Sequence, residues 1–141
     1  MKVFSSYYDN VPNLEKNTYT FVRVSRKEPP EWLTSYVDLS GSFGPTEAML
    51  KECHPTQNWK EFEPRYKNEI LGALDKELSL NELLKIYNDN GCKPLLLLCW
   101  ESSKENCHRD LQRNSGSFDP FKQLIYNSYT TPPQIEDIRL L

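Results

Sequence analysis

One apolar run dominates the pattern of the chain: Leu95-Leu96-Leu97-Leu98-Cys99, opened by Pro94 and followed closely by the polar stretch that starts at Glu101. It is far shorter than the ~18–20 apolar residues of a membrane helix. It also lacks alternation, which predicts a strand buried on both faces in the middle of a parallel sheet. Residues 19–26 do alternate and are rich in strand formers. They predict a second strand with Thr20, Val22, Val24 and Arg26 on one face and Phe21, Arg23 and Ser25 on the other. Residues 2–6 predict a short first strand, with Ser5, Ser6, Tyr7 and Tyr8 around its end, ahead of the turn-rich residues 9–17. Residues 32–39 read equally as an extended piece or a short helix. Residues 135–141 predict a last strand entered through Pro132-Pro133.

Helical spacing fills the middle of the chain. A short helix is expected over 46–52, then a longer one on which Trp59, Phe62, Tyr66, Ile70, Ala73 and Leu74 recur every three or four residues. Asn58 and Glu61 form a plausible capping pair, but Pro64 would remove a backbone bond, so the regular part is expected to begin there. Ser79-Leu80-Asn81-Glu82 predicts a capping box for a helix that turns Leu80, Leu83, Leu84 and Tyr87 inward, and Gly91 predicts its stop. Helix, glycine stop and buried strand make half of a βαβ crossover. Residues 109–113 predict a helix and 114–120 a loop, while 121–126 fit no one type. Residues 40–45 predict a loop. Its Gly-x-x-Gly resembles a phosphate cradle superficially, and without a following Lys-Ser/Thr a plain connector is favoured. Together the elements predict an α/β fold with a mostly parallel sheet flanked by helices, in a single domain over 1–141.

Composition narrows the function classes. The 141 residues carry 17 basic and 20 acidic side chains, net −3, which argues against a dedicated duplex-nucleic-acid binder while leaving a local basic patch open. The first residues lack the apolar segment of a secretion signal, so a cytoplasmic protein with Cys53, Cys92, Cys99 and Cys107 reduced is expected.

Candidate chemistry follows the leucine run. Parallel sheets bind ligands beyond the carboxyl ends of their strands, and this end carries Cys99, Trp100 and Glu101, with Cys107, His108 and Arg109 soon after. Asn106 is a good N-cap residue; if it caps, the helix dipole and Arg109 would lower the Cys107 thiol pKa. Cys107 could then act as a nucleophile with His108 as base or proton donor, Glu101 as a general acid/base, and Arg109 as a clamp for phosphate or carboxylate. The plainer alternative is that Cys99 and Cys107 are small buried hydrophobes; for the constellation as a whole, a functional site is favoured. The pairs Cys53-His54 and Cys107-His108 could in principle supply zinc ligands. The Cys99 to Cys107 spacing is not that of a zinc knuckle, so neither metal nor cofactor is expected.

The leucine run through Cys99-Trp100-Glu101, then Cys107-His108-Arg109, resembles the Leu-Leu-Cys-x-Glu … Cys-His-Arg signature of the domain of unknown function 488 family. Arg23-Val24, Glu31-Trp32-Leu33, Cys53-His54-Pro55, Trp59, Phe62 and Arg65-Tyr66 are similar, in the same order, to its short stand-alone members. Those members usually have Trp-Pro-Arg-Gly where this chain has Ser25-Arg26-Lys27-Glu28. The resemblance implies a Rossmann-like sheet with Cys99, Glu101, Cys107, His108 and Arg109 near Arg23 and Arg26; it implies no reaction.

Three functions compete. The first is a module that binds a small anionic ligand, a nucleotide or nucleotide-derived signal, through Arg23, Ser25, Arg26, Cys99, Trp100 and Arg109, with Tyr7, Tyr8 or Trp100 stacking on a ring. The second is a hydrolase or transferase acting on a nucleotide or base through Cys107 or Glu101. The third is a protein- or nucleic-acid-associated factor using the basic and aromatic residues of 59–67. A membrane partner is not expected, and oligomeric state is not legible.

Overall fold

The computed structural model describes residues 3–100 and 139–140. Four parallel strands form the sheet: β1 (Val3–Tyr7), β2 (Thr20–Arg23), β3 (Val37–Asp38) and β4 (Leu95–Cys99). A short antiparallel strand, β5 (Arg139–Leu140), joins the β1 edge, giving the order β3-β2-β4-β1-β5. This is a Rossmann-like α/β fold, with the leucine strand in the centre.

The register explains the missing alternation. Leu95 and Leu97 join Val3, Val22 and Val24 in one core, covered by Met49, Cys53, Phe62, Tyr66, Leu71, Leu83 and Ile86 from the helices. Leu96 and Leu98 join Phe4, Tyr8, Leu14 and Leu33 in a second core on the opposite face. Each leucine side chain is thus withdrawn from water, worth roughly 1.5–3 kcal/mol apiece before the entropy of ordering is subtracted. A polar residue at any of the four would sit in one core or the other.

The helices are α1 (Ser40–Phe43), α2 (Glu47–Cys53), α3 (Trp59–Arg65) and α4 (Lys76–Asp89). The stretch expected as a loop holds α1. The Asp38 carboxylate accepts from the Ser40 backbone N–H at 2.9 Å, which starts the turn. Gly44 ends it where a Cβ would lie 2.5 Å from the Ser40 carbonyl oxygen, so glycine is there for close packing; its N–H donates to that same oxygen. Thr46 caps α2 by accepting from Met49 N–H at 3.1 Å.

Two capping expectations fail. Asn58 precedes α3 without a side-chain cap bond. Ser79 is buried within α4, whose cap is Asp75, accepting from Leu78 N–H at 2.9 Å. Serine followed by Glu82 carried the right local pattern, but the aspartate four residues earlier reaches a terminal N–H first. Pro64 lies inside α3, and regular winding precedes it. The irregularity comes afterwards, as a π turn over Tyr66–Ile70 and a 3₁₀ turn over Leu71–Ala73. The predicted aromatic stripe survives: Trp59 stacks on Phe62 and Phe62 on Tyr66, and the Tyr66 hydroxyl donates to the Phe43 carbonyl at 2.7 Å. Gly91 leaves α4 at φ +77°, as a C-terminal glycine should.

Candidate functional site

Pairing places Tyr7 opposite Cys99 on one side of β4, and Arg23 opposite Leu98 on the other. Beyond this common end lies a hollow of about 360 Å³ lined by Ser25, Arg26, Lys27, Pro45, Leu50, His54, Cys99 and Trp100. Its size falls in the range of small-molecule sites. Four predicted ligand residues therefore share one wall: Ser25, Arg26, Cys99 and Trp100.

Arg23 is different. Its buried guanidinium donates from Nε to the Ser25 carbonyl (3.1 Å), from one terminal nitrogen to the Arg26 carbonyl (2.7 Å), and from the other to Asp38 (3.2 Å). It shapes the loop that follows β2 and is outside the lining of the hollow. Burial pushes the Asp38 carboxyl upward, but hydrogen bonds from Ser40 and the charge of Arg23 outweigh it, holding the group below its ordinary range.

Ser25 anchors a second chain of bonds. Its hydroxyl donates to the Lys27 carbonyl at 2.8 Å, and a hydroxyl has only one proton to give. The Tyr8 phenol, 2.6 Å away, must then be the donor to Ser25 Oγ. Burial raises the Tyr8 pKa far above its usual value, so this donor stays protonated. Trp100 closes the arrangement: Nε1 donates to the Glu28 carbonyl at 2.8 Å, its ring meets Tyr8 edge-on at 5.0 Å, and the Lys27 ammonium lies 5.0 Å from the ring centre. Tyr8 thus supports the wall from beneath, and Tyr7 stands half-buried at the strand end outside the lining.

Arg26 faces the hollow with capacity to spare. Nε donates to the Pro45 carbonyl at 2.9 Å, which fixes the side chain, and its terminal nitrogens have no partner among the described residues. His54 entered the sequence analysis through the metal argument and the family resemblance, and was not named as a ligand residue. It follows α2 as the C-cap, and its Nδ1 lies 3.3 Å from the Thr56 backbone nitrogen and 2.8 Å from the Thr56 hydroxyl, which holds the ring in place. A histidine ending an amphipathic helix was the available signal; nothing in the sequence set Pro45, Leu50 or Lys27 beside it. Glu101, Cys107, His108 and Arg109 lie outside the described residues, which hold no group of three potential metal ligands.

A family model, DUF488-N3a, described as the active DUF488-N3 subclade, matches residues 13–115. The chain belongs to the DUF488 family. The matched region takes in β2, β3, β4 and the helices α1 to α4, hence every described lining residue of the hollow. No curated protein and no solved structure matches the chain. Among the described residues of this DUF488 protein, no helix is long and apolar enough to cross a membrane.

Proposed function

We propose that this protein binds a small anionic ligand, a nucleotide or nucleotide-derived signal, in the hollow at the carboxyl ends of β2 and β4. One observation carries the reading: Arg26 and Lys27 line the hollow, and among the described residues no carboxylate does. A guanidinium held by its Nε and presenting two terminal nitrogens suits bidentate capture of phosphate or carboxylate. Leu50, Pro45 and the Trp100 ring offer apolar surface for a base. Calorimetric titration with nucleoside mono- and diphosphates tests it. Binding that weakens at least about tenfold in Arg26→Ala, the loss of one charge-assisted contact, is expected; no heat from any member of the panel would end the reading.

A second reading is a hydrolase or transferase working on the same ligand. It is favoured by the Cys99 thiol and the His54 imidazole standing on one wall, with Cys107 or Glu101 as the reacting group. It predicts rapid alkylation of a single thiol near neutral pH, slowed by bound nucleotide. Thiols that all react at the rate of a free cysteine peptide exclude cysteine nucleophilic catalysis.

A further inference from the structure

The opposite end of the sheet holds another hollow, of about 290 Å³, at the amino ends of β2, β3 and β4. Tyr19, Phe21 and Tyr36 give it aromatic walls; Asn17, Asn90 and Lys93 contribute polar groups. The walls are set in place from behind. Tyr19 meets Phe4 edge-on at 5.9 Å, Phe21 packs on the second core, and Asn90 Nδ2 donates to the Ile86 carbonyl at 2.8 Å. The Thr20 N–H, bonded to the Pro94 carbonyl at 2.9 Å, ties the start of β2 to the entry of β4.

The polar ends on this wall are uncommitted. Among the described residues, the Tyr19 and Tyr36 hydroxyls, the Asn17 amide and the Lys93 ammonium have no hydrogen-bond or ion-pair partner. Only two described non-glycine residues have positive φ, Asn17 at 61° and Cys92 at 58°. Asn17 lines the hollow and Cys92 directly precedes Lys93, so both lie in the turns that border it. These left-handed residues turn the chain at the edge of the hollow, and asparagine enters that region readily in turns.

Charge then selects the ligand. Among the described residues Lys93 is the one charged residue of the lining; it stands beside the C-terminal end of α4, where the helix presents its negative pole, and the Glu15 carboxylate is near enough to act on the Tyr19 phenol. One negative charge on the ligand is matched by the ammonium; a second would meet the carbonyl end of the helix. Phenol and amide groups outnumber the charge, as suits a ring bearing several hydroxyls, and aromatic faces suit its C–H face.

The geometry points to a second binding site here, for a monoanionic sugar acid of the hexuronate type. Its carboxylate pairs with Lys93, its hydroxyls meet Asn17, the Asn90 oxygen and the two phenols, and its ring lies on Tyr19 or Tyr36. Backbone amide shifts followed during titration of the full chain with glucuronate, glucose, glucose 6-phosphate and AMP test this. Glucuronate is expected to shift residues 17–21, 35–37 and 90–93, and to bind at least about tenfold more tightly than glucose. Lys93→Ala should remove that preference, Tyr36→Phe should weaken both sugars, and Arg26→Ala should leave both unchanged. Thermal melts of the variants establish that they fold. Glucuronate shifts absent from these segments, tighter binding of glucose 6-phosphate, mapping of AMP to this hollow, or a preference untouched by Lys93→Ala would each overturn the assignment.

Discussion

The two ends of the sheet use polar groups in opposite ways. At the carboxyl end, Arg23, Tyr8, Ser25 and Trp100 are joined to one another or to the backbone of residues 25–28, so most of the hydrogen-bonding capacity builds the wall. Arg26 is the member left with donors to offer. At the amino end, aromatic packing and backbone bonds fix the wall, while its phenols, its Asn17 amide and its ammonium have no hydrogen-bond or ion-pair partner among the described residues. The contrast teaches that a polar side chain near a hollow is not thereby a ligand residue; its existing partners decide. Arg23 and Arg26 are three residues apart, and one is scaffold while the other is available.

Substitutions can break this contrast, and the central strand sets the upper limit. Leu98→Ala should cost about 2–5 kcal/mol in urea unfolding, because it opens a cavity in the second core directly below the carboxyl-end wall. Arg23→Met should cost roughly 1.5–3 kcal/mol by stranding two carbonyls and Asp38. Lys93→Ala, by contrast, should stay within about 0.5 kcal/mol of the parent, since Lys93 makes no hydrogen bond or ion pair among the described residues. Equal costs for these last two would erase the distinction between the ends. Tyr8→Phe should cost about 1 kcal/mol by removing the donor to Ser25.

The smallest effects are in the pH profile. The folded Tyr8 pKa is raised, so its contribution is complete below the unfolded value of about 10 and is lost as pH rises from there toward the folded value. Alkaline melts should fall more steeply for the parent than for Tyr8→Phe. The folded Asp38 pKa is lowered, so its contribution is present above the unfolded value of about 3.9 and is lost as pH falls through the folded one. Asp38→Asn should flatten that acid limb, and an unchanged limb would mean that the Arg23–Asp38 contact adds nothing.

Much of the fold was legible because it rests on local pattern. The unalternating leucines read best as a two-sided strand, which is what they form, and the Phe21/Val22 alternation assigns its residues to the two cores correctly. What was missed at α1 is itself local: Asp38 accepts from the Ser40 N–H two residues on, and Gly44 packs on the Ser40 carbonyl four residues back, in a stretch whose Gly and Ser content reads as a loop. The Ser79 capping box lost to Asp75 because both are good caps and only the entry path of the chain decides between them. At the site, strand register made Arg26, Cys99 and Trp100 predictable neighbours. His54, Pro45 and Leu50 reach the same hollow through α1 and α2, a tertiary arrangement that no spacing encodes. The expected roles of Glu101, Cys107, His108 and Arg109 fall outside the described residues.

Amide shift mapping of the full chain with a nucleoside diphosphate, run beside Arg26→Ala, most directly tests the carboxyl-end site. Shifts centred on residues 25–27, 54 and 99–100 that vanish in the variant are expected. No shifts, or shifts that persist without the Arg26 guanidinium, would contradict an anion site beyond the leucine strand.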